Sequence, residues 1–364
     1  MKKNVIVGQS GGPTAVINAS LYGVVNEALN RKDSFGAVFG MINGIEGFAE
    51  GRVMDMEELK RSGELELVKT TPGSYLGSCR YKLPKDLNDE VYPKLFERFK
   101  EYDIGYFFYI GGNDSMDTVS KLSRYAEMVG SDICFLGIPK TIDNDLPCTE
   151  RTFGFDTAMA MATEALDRIH TTAESHHRVM ALEVMGRYAG WIALHSGIAG
   201  GADVILIPEI PYSINSVIGK IRARQAAGKQ FSIIVVAEGA RPVGGEMSIA
   251  RMVKGSFEPI RLGGAGEKLV REIEEKTGIE SRCTVLGYLQ RGGTPTPFDR
   301  VLSTRYGVAA AEACMRKEYN VMVSLQNDKI VTEPIEKVAS EPRLVPVDSD
   351  IIRTGRQMGL CFGD

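Results

Sequence analysis

Residues 105–115 of the chain read GYFFYIGGNDS, an apolar run that ends in two glycines and a polar turn. The run Gly105–Ile110 is rich in aromatic and β-branched residues, which is typical of a buried strand. Apolar residues then recur at helical spacing from Val119 to Val129. The stretch therefore predicts a strand, a glycine turn and a helix in succession.

The same succession recurs along the chain, since a second helical pattern over Ile17–Ala28 follows another apolar run. Strands that alternate with helices predict mainly parallel sheets with helices on both faces, the doubly wound α/β class. We expect two Rossmann-like lobes of this class. The runs that predict strands are Asn4–Val7, Gly36–Gly40, Gly105–Ile110, Ile133–Ile138, Val179–Val184, Ala202–Ile207, Phe231–Ala237 and Cys283–Leu286.

The bulk composition restricts the class of protein and partner. At 364 residues the chain exceeds the size at which one hydrophobic core stops growing, so two domains are expected. The formal net charge of -4 offers no basic surface for nucleic acid, so local arginines must hold any anionic substrate. The six cysteines form no C-x-x-C pair, which favours reduced thiols. Neither a signal peptide nor a membrane span is indicated, so we expect a cytoplasmic protein.

Two glycine turns are candidates for binding a phosphate. The segments SGGPT at 10–14 and GGNDS at 111–115 each follow an apolar run and precede a helical pattern. The start of a helix favours an anion, and glycine lets the backbone approach it closely. The alternative is an ordinary strand-to-helix turn in which Asp114 or Ser115 caps the helix. Two such turns on one sheet make a phosphate site the better interpretation.

The segment PKTIDND at 139–145 places acidic and basic groups directly after another predicted strand. If this segment is extended, Asp143 and Asp145 lie on one face. A carboxylate here can take the proton from an attacking hydroxyl, while positioning and charge neutralisation supply most of the remaining catalysis of phosphoryl transfer. An Asx-turn with two solvated acids is the alternative.

Arginines and one glutamate border several predicted strands, and a planar guanidinium suits bidentate binding of phosphate. Most arginines are solvated surface residues, but glycines flank Arg187 and Arg291 at strand-to-helix turns. Glu238 ends a strand and can accept hydrogen bonds from sugar hydroxyls, although a structural ion pair explains it equally well. The arginines at strand ends are Arg80, Arg178, Arg187, Arg282 and Arg291.

The histidines and the single tryptophan are interpreted as structural. None of the histidines has a metal-ligand spacing with cysteine or carboxylate. Trp191 follows the MGRYAG turn at 185–190 in an apolar helical pattern, so we expect it in the core.

Taken in order, these turns resemble the phosphofructokinase family from Val5 to about Arg305. A GG-x-D-S turn alone also occurs in diacylglycerol-kinase and NAD-kinase relatives. The motifs TIDND, MGRYAG and TVLGYLQRGG after it in one chain are far more specific. The resemblance implies a phosphotransferase that converts fructose 6-phosphate to fructose 1,6-bisphosphate, in glycolysis and reversibly.

The resemblance also assigns the sugar site. Asp143 would be the general base that deprotonates the 1-hydroxyl, and Glu238 would bind sugar hydroxyls. Arg178 and Arg282 would reach the 6-phosphate from a neighbouring subunit, so the enzyme would be a homodimer or homotetramer. Tyr288 stands where ATP-using members usually carry histidine. The implied substrate-binding residues are Thr141, Ile142, Arg178, Met185, Gly186, Arg187, Glu238, Arg282, Tyr288, Leu289, Gln290 and Arg291.

On the donor side the chain departs from the ATP-using pattern, with GGNDS and PKTIDND in place of GGDGS and PGTIDND. Asp114 replaces a glycine that leaves room for the α-phosphate of a nucleotide, and Lys140 brings a positive charge toward the transferred phosphoryl group. Both changes resemble the pyrophosphate-dependent members. Pyrophosphate is thus the expected donor, and an ATP-dependent enzyme is the alternative. The implied catalytic residues are Asp143, Lys140, Asp114 and Arg187, and the donor phosphate would contact Gly11, Gly12, Arg80 and Gly112.

The resemblance implies Mg²⁺ as the cofactor. Asn113 stands where family members usually have a magnesium-associated aspartate, and its amide oxygen can bind the metal without charge. Alternatively, Asp114 or Asp145 takes over the ligand role.

The expected lobes follow the same resemblance. Residues 1–139, rejoined by about 290–340, would bind the donor, and residues 140–289 would bind fructose 6-phosphate. A sugar-phosphate-binding regulatory module without turnover is an alternative from another functional class. Such a module has no use for a base, so Asp143 together with Lys140 argues against it.

Overall fold

The computed structural model describes residues 2–252 and 260–364. The strands are β1 Asn4–Gln9, β2 Val38–Met41, β3 Val53–Asp55, β4 Ile104–Gly111, β5 Cys134–Pro139, β6 Val179–Val184, β7 Val204–Leu206, β8 Ser232–Ala237, β9 Ile249–Met252, β10 Ile260–Leu262, β11 Ser281–Val285, β12 Val321–Gln326 and β13 Lys329–Pro334. The helices are α1 Ile17–Asn30, α2 Gly44–Ala49, α3 Met56–Arg61, α4 Leu65–Val68, α5 Val91–Glu101, α6 Asn113–Val129, α7 Phe155–His176, α8 Trp191–Ala199, α9 Ile214–Ala226, α10 Ala265–Thr277, α11 Pro297–Met315, α12 Ile335–Val338 and α13 Asp350–Gln357. A 3₁₀-helix spans Gly287–Arg291.

The chain forms two compact units. Each contains one mainly parallel sheet with helices, so the predicted α/β class is confirmed. The donor and sugar roles of the lobes stay predictions. The first unit comprises Met1–Ile142, Leu146–Gly154 and Thr294–Glu341, and the second comprises Asp143–Asp145, Phe155–Gly293 and Pro342–Asp364.

The sheet of the first unit has the strand order β13-β12-β5-β4-β1-β2-β3. The five central strands are parallel, and the edge strands β3 and β13 run antiparallel to their neighbours. Because β1, β4 and β5 are adjacent and parallel, the turns that follow them meet at one edge of the sheet. The two glycine turns and Lys140 are therefore neighbours.

Alternate residues of each strand in this sheet face two separate cores. On β1, Val5 and Val7 pack in a cluster that contains residues of α1 and α11, whereas Ile6 packs in a cluster with residues of α5 and α6. Side chains alternate between the faces of a strand, so helices on both sides bury β1 completely.

The second unit has a parallel sheet of order β11-β6-β8-β7 and an antiparallel pair, β9 with β10. On β6 and β8, Val184 pairs in register with Ala237. The turn Met185–Gly190 and Glu238 therefore leave the sheet at the same edge. Residues of α9 and α10 cover a face of this sheet through a core that includes Val179 and Ile234.

All eight predicted strands are confirmed, although β11 begins two residues before the predicted run. The strands β3, β9, β10, β12 and β13 were not predicted. Within the two described ranges, no helix is long and apolar enough to cross a membrane.

Close packing of α1 against α11 gives a first prediction. A Cβ on Gly307 would overlap the carbonyl oxygen of Ser20, and one on Gly23 would lie 2.8 Å from the carbonyl oxygen of Thr304. We expect Gly307→Ala to force the helices apart and to lower the free energy of unfolding by about 1–3 kcal/mol. Urea unfolding measures the change.

Gly219→Ala in α9 is the matched control. A Cβ on Gly219 would have no atom within 4 Å. Alanine is the better helix former, so this variant is expected to gain about 0.5–1 kcal/mol. Equal effects of the two substitutions would contradict the packing argument.

Candidate functional site

Hydrogen bonds join the two glycine turns of the first unit. The backbone N–H of Ser10 donates to the carbonyl of Ile110 at 2.9 Å, and the hydroxyl of Ser115 donates to that of Ser10 at 2.8 Å. Gly11 donates its N–H to the carbonyl of Cys79 at 3.1 Å and has a φ of 77°, which favours glycine. The turn at 10–14 is thus held by β4, α6 and the loop around Cys79.

Lys140 lies beside both turns. Its side chain is 3% exposed, and its Nζ donates to the carbonyl of Gly12 at 2.7 Å. Its backbone N–H donates to the carbonyl of Gly111 at 2.9 Å. A Cβ on Gly11 would lie only 3.2 Å from Nζ, so glycine leaves room for the ammonium. This position lets the ammonium contact an anion that binds at the two turns.

The helix α6 begins at Asn113, with Gly112 as its N-cap and no side chain in the cap hydrogen bond. The alternative in which Asp114 or Ser115 is the N-cap of this helix therefore does not hold. Its first N–H groups have no partner four residues earlier in the helix, and the helix dipole makes this end favourable for anions. A Cβ on Gly112 would lie 3.4 Å from the carbonyl oxygen of Lys140, an ordinary van der Waals contact, so packing within the chain does not require glycine there.

Asp114 carries an ion pair that sequence analysis missed. Its Oδ1 lies 2.7 Å from the Nζ of Lys82, and the two side chains are 50% and 53% exposed. Lys82 belongs to the same loop as the exposed Arg80. A lone exposed lysine carries no pattern in the sequence, so nothing marked Lys82 in advance. Together, Lys82 and Asp114 form a bridge between this loop and the first turn of α6.

The segment PKTIDND divides between the two units after Ile142. Thr141 and Ile142 remain with the first unit, where the carbonyl of Thr141 accepts a hydrogen bond from Thr152 at 2.7 Å. In the second unit Asn144 has a φ of 53°, so the segment is not extended. The expectation that Asp143 and Asp145 share a strand face is wrong, because a left-handed residue breaks the two-residue alternation.

The turn Met185–Gly190 is fixed by backbone groups at the ends of two strands. The N–H of Glu238 donates to the carbonyl of Val184 at 2.9 Å, and that of Gly239 donates to Gly186 at 3.2 Å. Gly186 has a φ of 137°. A Cβ on Gly239 would overlap the carbonyl oxygen of Arg187. Glycine at both places therefore allows the two chain segments to lie side by side.

Glu238 is the most strongly perturbed acid of this turn region. Burial and, after it, the negative charge of Asp143 raise the pKa of Glu238 to about 7, while Arg187 opposes the shift. The second unit thus brings together three predicted site residues, Asp143, Arg187 and Glu238. Such clusters of buried, mutually interacting titratable groups are typical of functional sites.

The 3₁₀-helix carries the last predicted motif. Gln290 is 1% exposed, and its side chain accepts from the N–H of Met185 at 3.2 Å and donates to the carbonyl of Gly287 at 2.9 Å. Tyr288 and Leu289 are 70% and 67% exposed, and the guanidinium of Arg291 lies 5.3 Å from the ring centroid of Tyr288. Gln290 therefore supports the turn at Met185, while its neighbours face outward.

Arg178 and Arg282 lie at the other end of the same sheet. Arg178 precedes β6, and Arg282 pairs in register with Met180 near the start of that strand. Both arginines bind Glu280, at 2.9 and 2.7 Å. The six residues of β6 separate Arg178 from Met185, which is roughly 20 Å of strand. Arg282 lies beside the second residue of that strand. One chain does not bring these arginines to the turn Met185–Gly190.

Comparison with known proteins supports the resemblance seen in the motifs. The family model described as Phosphofructokinase matches residues 4–314. The chain belongs to the phosphofructokinase family. The reaction of this family is phosphoryl transfer onto fructose 6-phosphate.

Similar members of the phosphofructokinase family differ in their named donor. A protein named ATP-dependent 6-phosphofructokinase from Chloroflexus aggregans is 44% identical over 373 residues, which cover 100% of this chain and 98% of the relative. One named pyrophosphate--fructose 6-phosphate 1-phosphotransferase from Amycolatopsis mediterranei is 42% identical over 353 residues, covering 96% and 97%.

The solved structures that resemble this phosphofructokinase include a pyrophosphate-dependent phosphofructokinase from Marinobacter aquaeolei. It has a TM-score of 0.82 and 31% identity, and the match covers 100% of this chain and 92% of that chain. A protein of the same description from Nitrosospira multiformis has a TM-score of 0.84 and 29% identity, with coverage of 100% and 93%.

Phosphofructokinases generally use Mg²⁺. In this chain Asn113 and Asp114 are consecutive in the first turn of α6 and supply one amide and one carboxylate. Among the described residues, no three His, Cys, Asp or Glu side chains form a metal cluster. Mg²⁺ usually keeps several waters and is held by one or two carboxylates together with substrate phosphates. The pair therefore fits a metal that is bound jointly with a phosphate.

Two residues of this phosphofructokinase near the turn Met185–Gly190, Trp191 and Glu209, make contacts that sequence analysis did not predict. Trp191 is half-buried rather than in the core, and its Nε1–H donates to the carbonyl of Arg343 at 3.0 Å. The carboxylate of Glu209 accepts from the N–H of Gly190 at 3.0 Å and from that of Val345 at 2.8 Å. These partners are far apart in the chain, so no local pattern could have indicated them.

The raised pKa of Glu238 gives a testable dependence of stability on pH. Its pKa is about 7 in the folded protein and 4.5 as the ordinary value. A carboxyl whose folded pKa is raised contributes stability that is fully present below the unfolded pKa and is lost as the pH rises through the folded pKa. Wild type should therefore lose this stability between about pH 4.5 and 7.

Glu238→Gln removes the titrating group. The stability of the variant relative to wild type is expected to increase across that pH window, as measured by urea unfolding at several pH values. Glu275→Gln changes an exposed carboxylate of α10 and serves as the control. A wild-type to Glu238→Gln difference that does not vary with pH would rule out the raised pKa.

Proposed function

We propose that this chain is a pyrophosphate-dependent fructose 6-phosphate 1-phosphotransferase. It would transfer one phosphoryl group from pyrophosphate to the 1-hydroxyl of fructose 6-phosphate, with fructose 1,6-bisphosphate and inorganic phosphate as products. The observation that carries the proposal is the buried ammonium of Lys140 beside the turns at 10–14 and 111–115. A diphosphate has no nucleoside to bind, so its binding depends on charge and backbone contacts with the phosphates themselves.

Lys140 suits the transferred phosphoryl group. Phosphoryl transfer spreads negative charge over the equatorial oxygens, and a preorganised cation in a buried site stabilises that charge strongly. Gly11, Gly12 and Gly112 would offer backbone contacts, and Arg80 would add a second positive charge from its loop. Mg²⁺, held by Asn113 and Asp114 together with the donor, would neutralise further phosphate charge when bound.

The side chain of Asp114 favours pyrophosphate over ATP mainly because its volume excludes the α-phosphate of a nucleotide. Its ion pair with Lys82 at 2.7 Å partly cancels its charge, so repulsion of a nucleotide α-phosphate is weaker than for an isolated carboxylate. The bridge between Lys82 and Asp114 fills volume beside the first turn of α6. A glycine in place of Asp114 would have no side chain to form this bridge.

On the acceptor side, Asp143 would take the proton from the 1-hydroxyl as the oxygen attacks the terminal phosphorus. Arg187 would stabilise the developing charge, and Glu238 would accept hydrogen bonds from the sugar. The buried side chain of Gln290 holds the N–H of Met185, which suits support of the turn more than direct binding. The remaining proposed contacts to the sugar phosphate are Thr141, Ile142, Met185, Gly186, Tyr288, Leu289 and Arg291.

A second subunit would complete the binding site for the 6-phosphate of the sugar. Arg178 and Arg282 lie at the opposite end of the sheet from Met185 within one chain. Their assignment to the sugar phosphate therefore requires them to act in the site of a neighbouring copy, in a homodimer or homotetramer.

An ATP-dependent 6-phosphofructokinase is the second candidate. It is favoured by the full-length similarity to the protein of that name from Chloroflexus aggregans, at 44% identity. The two candidates share the proposed acceptor side and differ in the roles that Asp114 and Lys140 have toward the donor. A direct comparison of donors separates them.

The shared site can be tested by mixing inactive variants. Asp143→Ala and Arg282→Ala should each lose about 10²-fold or more in turnover, because one removes the base and the other a phosphate ligand. In mixed dimers one site of the two regains both residues, so an equal mixture should recover about a quarter of the wild-type activity. If no activity is recovered although mass spectrometry shows subunit exchange, the proposal that two subunits share each site is contradicted.

The donor assignment is tested by steady-state kinetics with each donor. Wild type is expected to use pyrophosphate with Mg²⁺, to run readily in reverse, and to show little activity with ATP. Lys140→Gly should lower kcat with pyrophosphate by about 10²-fold or more while KM changes less, because the charge is needed in the transition state. Robust wild-type activity with ATP and none with pyrophosphate would refute the assignment.

Substitutions at Asp114 separate size from charge. Asp114→Gly should raise kcat/KM for ATP by about tenfold or more. Asp114→Asn keeps the volume and removes the charge, so it should leave ATP use low. If Asp114→Asn admits ATP as well as Asp114→Gly does, charge rather than volume excludes the nucleotide.

A further inference from the structure

Arg343 holds the backbone that directly follows Asp143. Its N–H donates to the carbonyl of Asp145 at 2.8 Å, and its Nε and Nη2 donate to the carbonyl of Asn144 at 3.3 and 3.0 Å. Two guanidinium donors on one carbonyl oxygen fix the orientation of the peptide plane between Asn144 and Asp145.

The guanidinium of Arg343 is itself held in place. It lies 4.5 Å from the ring centroid of Trp191, and the Nε1–H of Trp191 donates to the carbonyl of Arg343 at 3.0 Å. Two residues later, Val345 donates its N–H to the carboxylate of Glu209. The same carboxylate also accepts a hydrogen bond from the N–H of Gly190, at the end of the turn Met185–Gly190. The segment 343–345 thus connects the backbone beside Asp143 to the start of α8.

This segment lies outside residues 4–314, the part of the chain that matches the family model. It also belongs to the same compact unit as Asp143, Trp191 and Glu209. The C-terminal residues from Pro342 therefore add a support to the second unit that the family motifs do not contain.

We propose that Arg343 is a positioning residue that orients Asp143 for proton abstraction, an inference that rests on the proposed role of Asp143 as the base. Asn144 has a left-handed φ of 53°, a region that asparagine enters more readily than most residues, so contacts of the folded chain decide whether it is kept. Arg343 supplies two such contacts through the Asn144 carbonyl. Without these contacts, the peptide between Asn144 and Asp145 can rotate, and the carboxylate of Asp143 loses its orientation.

The expected effect falls on kcat. A displacement of about 1 Å in a reacting group can cost about 10²-fold in rate, whereas binding of the sugar phosphate depends mostly on other residues. We expect Arg343→Met to lower kcat by about 10- to 100-fold and to change KM for fructose 6-phosphate by less than about threefold. Arg343→Lys keeps the charge but not the two-donor geometry. Its kcat should therefore lie between those of Arg343→Met and wild type.

Arg353→Met is the matched control. Arg353 is an exposed arginine of α13 in the same C-terminal segment, where it pairs with Asp350. Its replacement should leave kcat and KM unchanged. Circular dichroism and thermal unfolding of all variants check that they fold. If Arg343→Met does not fold, Arg343→Lys takes its place in the next experiment.

The decisive experiment combines Arg343→Met with Asp143→Asn. If Arg343 acts through Asp143, the double variant should lose no more than about twofold in kcat beyond Asp143→Asn alone. If the double variant instead shows the product of the two single losses in kcat, Arg343 does not act through Asp143. That result would overturn the positioning role and leave Arg343 a structural one. Near wild-type kcat in Asp143→Asn would instead refute the base assignment of the proposed function. The two failures are therefore distinguishable.

Discussion

The burial of one ammonium group constrains the edge of the first sheet where the two glycine turns meet. Lys140 is 3% exposed, and its Nζ donates to the carbonyl of Gly12 at 2.7 Å. A cation this deeply buried needs hydrogen-bond partners and nearby dipoles. The parallel register of β1, β4 and β5 brings two glycine turns and a helix start to the same sheet edge, so their backbone groups surround the ammonium.

Carboxylates that are fully or partly buried hold backbone groups in the second unit. Burial raises the pKa values of Glu183, Glu209 and Glu238. Glu183 accepts hydrogen bonds from the N–H groups of Gly264 and Gly266, and Glu209 accepts from Gly190 and Val345. Glu183 thus holds the start of α10, and Glu209 holds the end of the turn Met185–Gly190. Glu238 differs because the charges of Asp143 and Arg187 also act on it.

Sequence reasoning succeeded where a pattern is local and failed where a partner is distant. Apolar runs bounded by glycine predict buried strands because both faces of a parallel sheet are covered. The run VMVSLQ of β12 is flanked by Asn320 and Asn327 rather than by glycine, and it is not among the predicted strands. The N-cap of α6 is Gly112 in an extended conformation, not one of the two polar residues of the alternative interpretation. Asp143 and Asp145 would share a face only in an extended segment, and the φ of Asn144, which rules this out, depends on tertiary contacts.

The amino-acid sequence is sufficient to predict the α/β class, the order of the turns and the resemblance to the phosphofructokinase family. Periodicity and glycine placement encode these features within a few residues of each other. The folded chain is needed to show that Lys82 pairs with Asp114, that Arg343 holds the Asn144 carbonyl, and that burial raises the pKa of Glu238. Each of those depends on groups brought together from distant segments, and no spacing along one chain records such a contact.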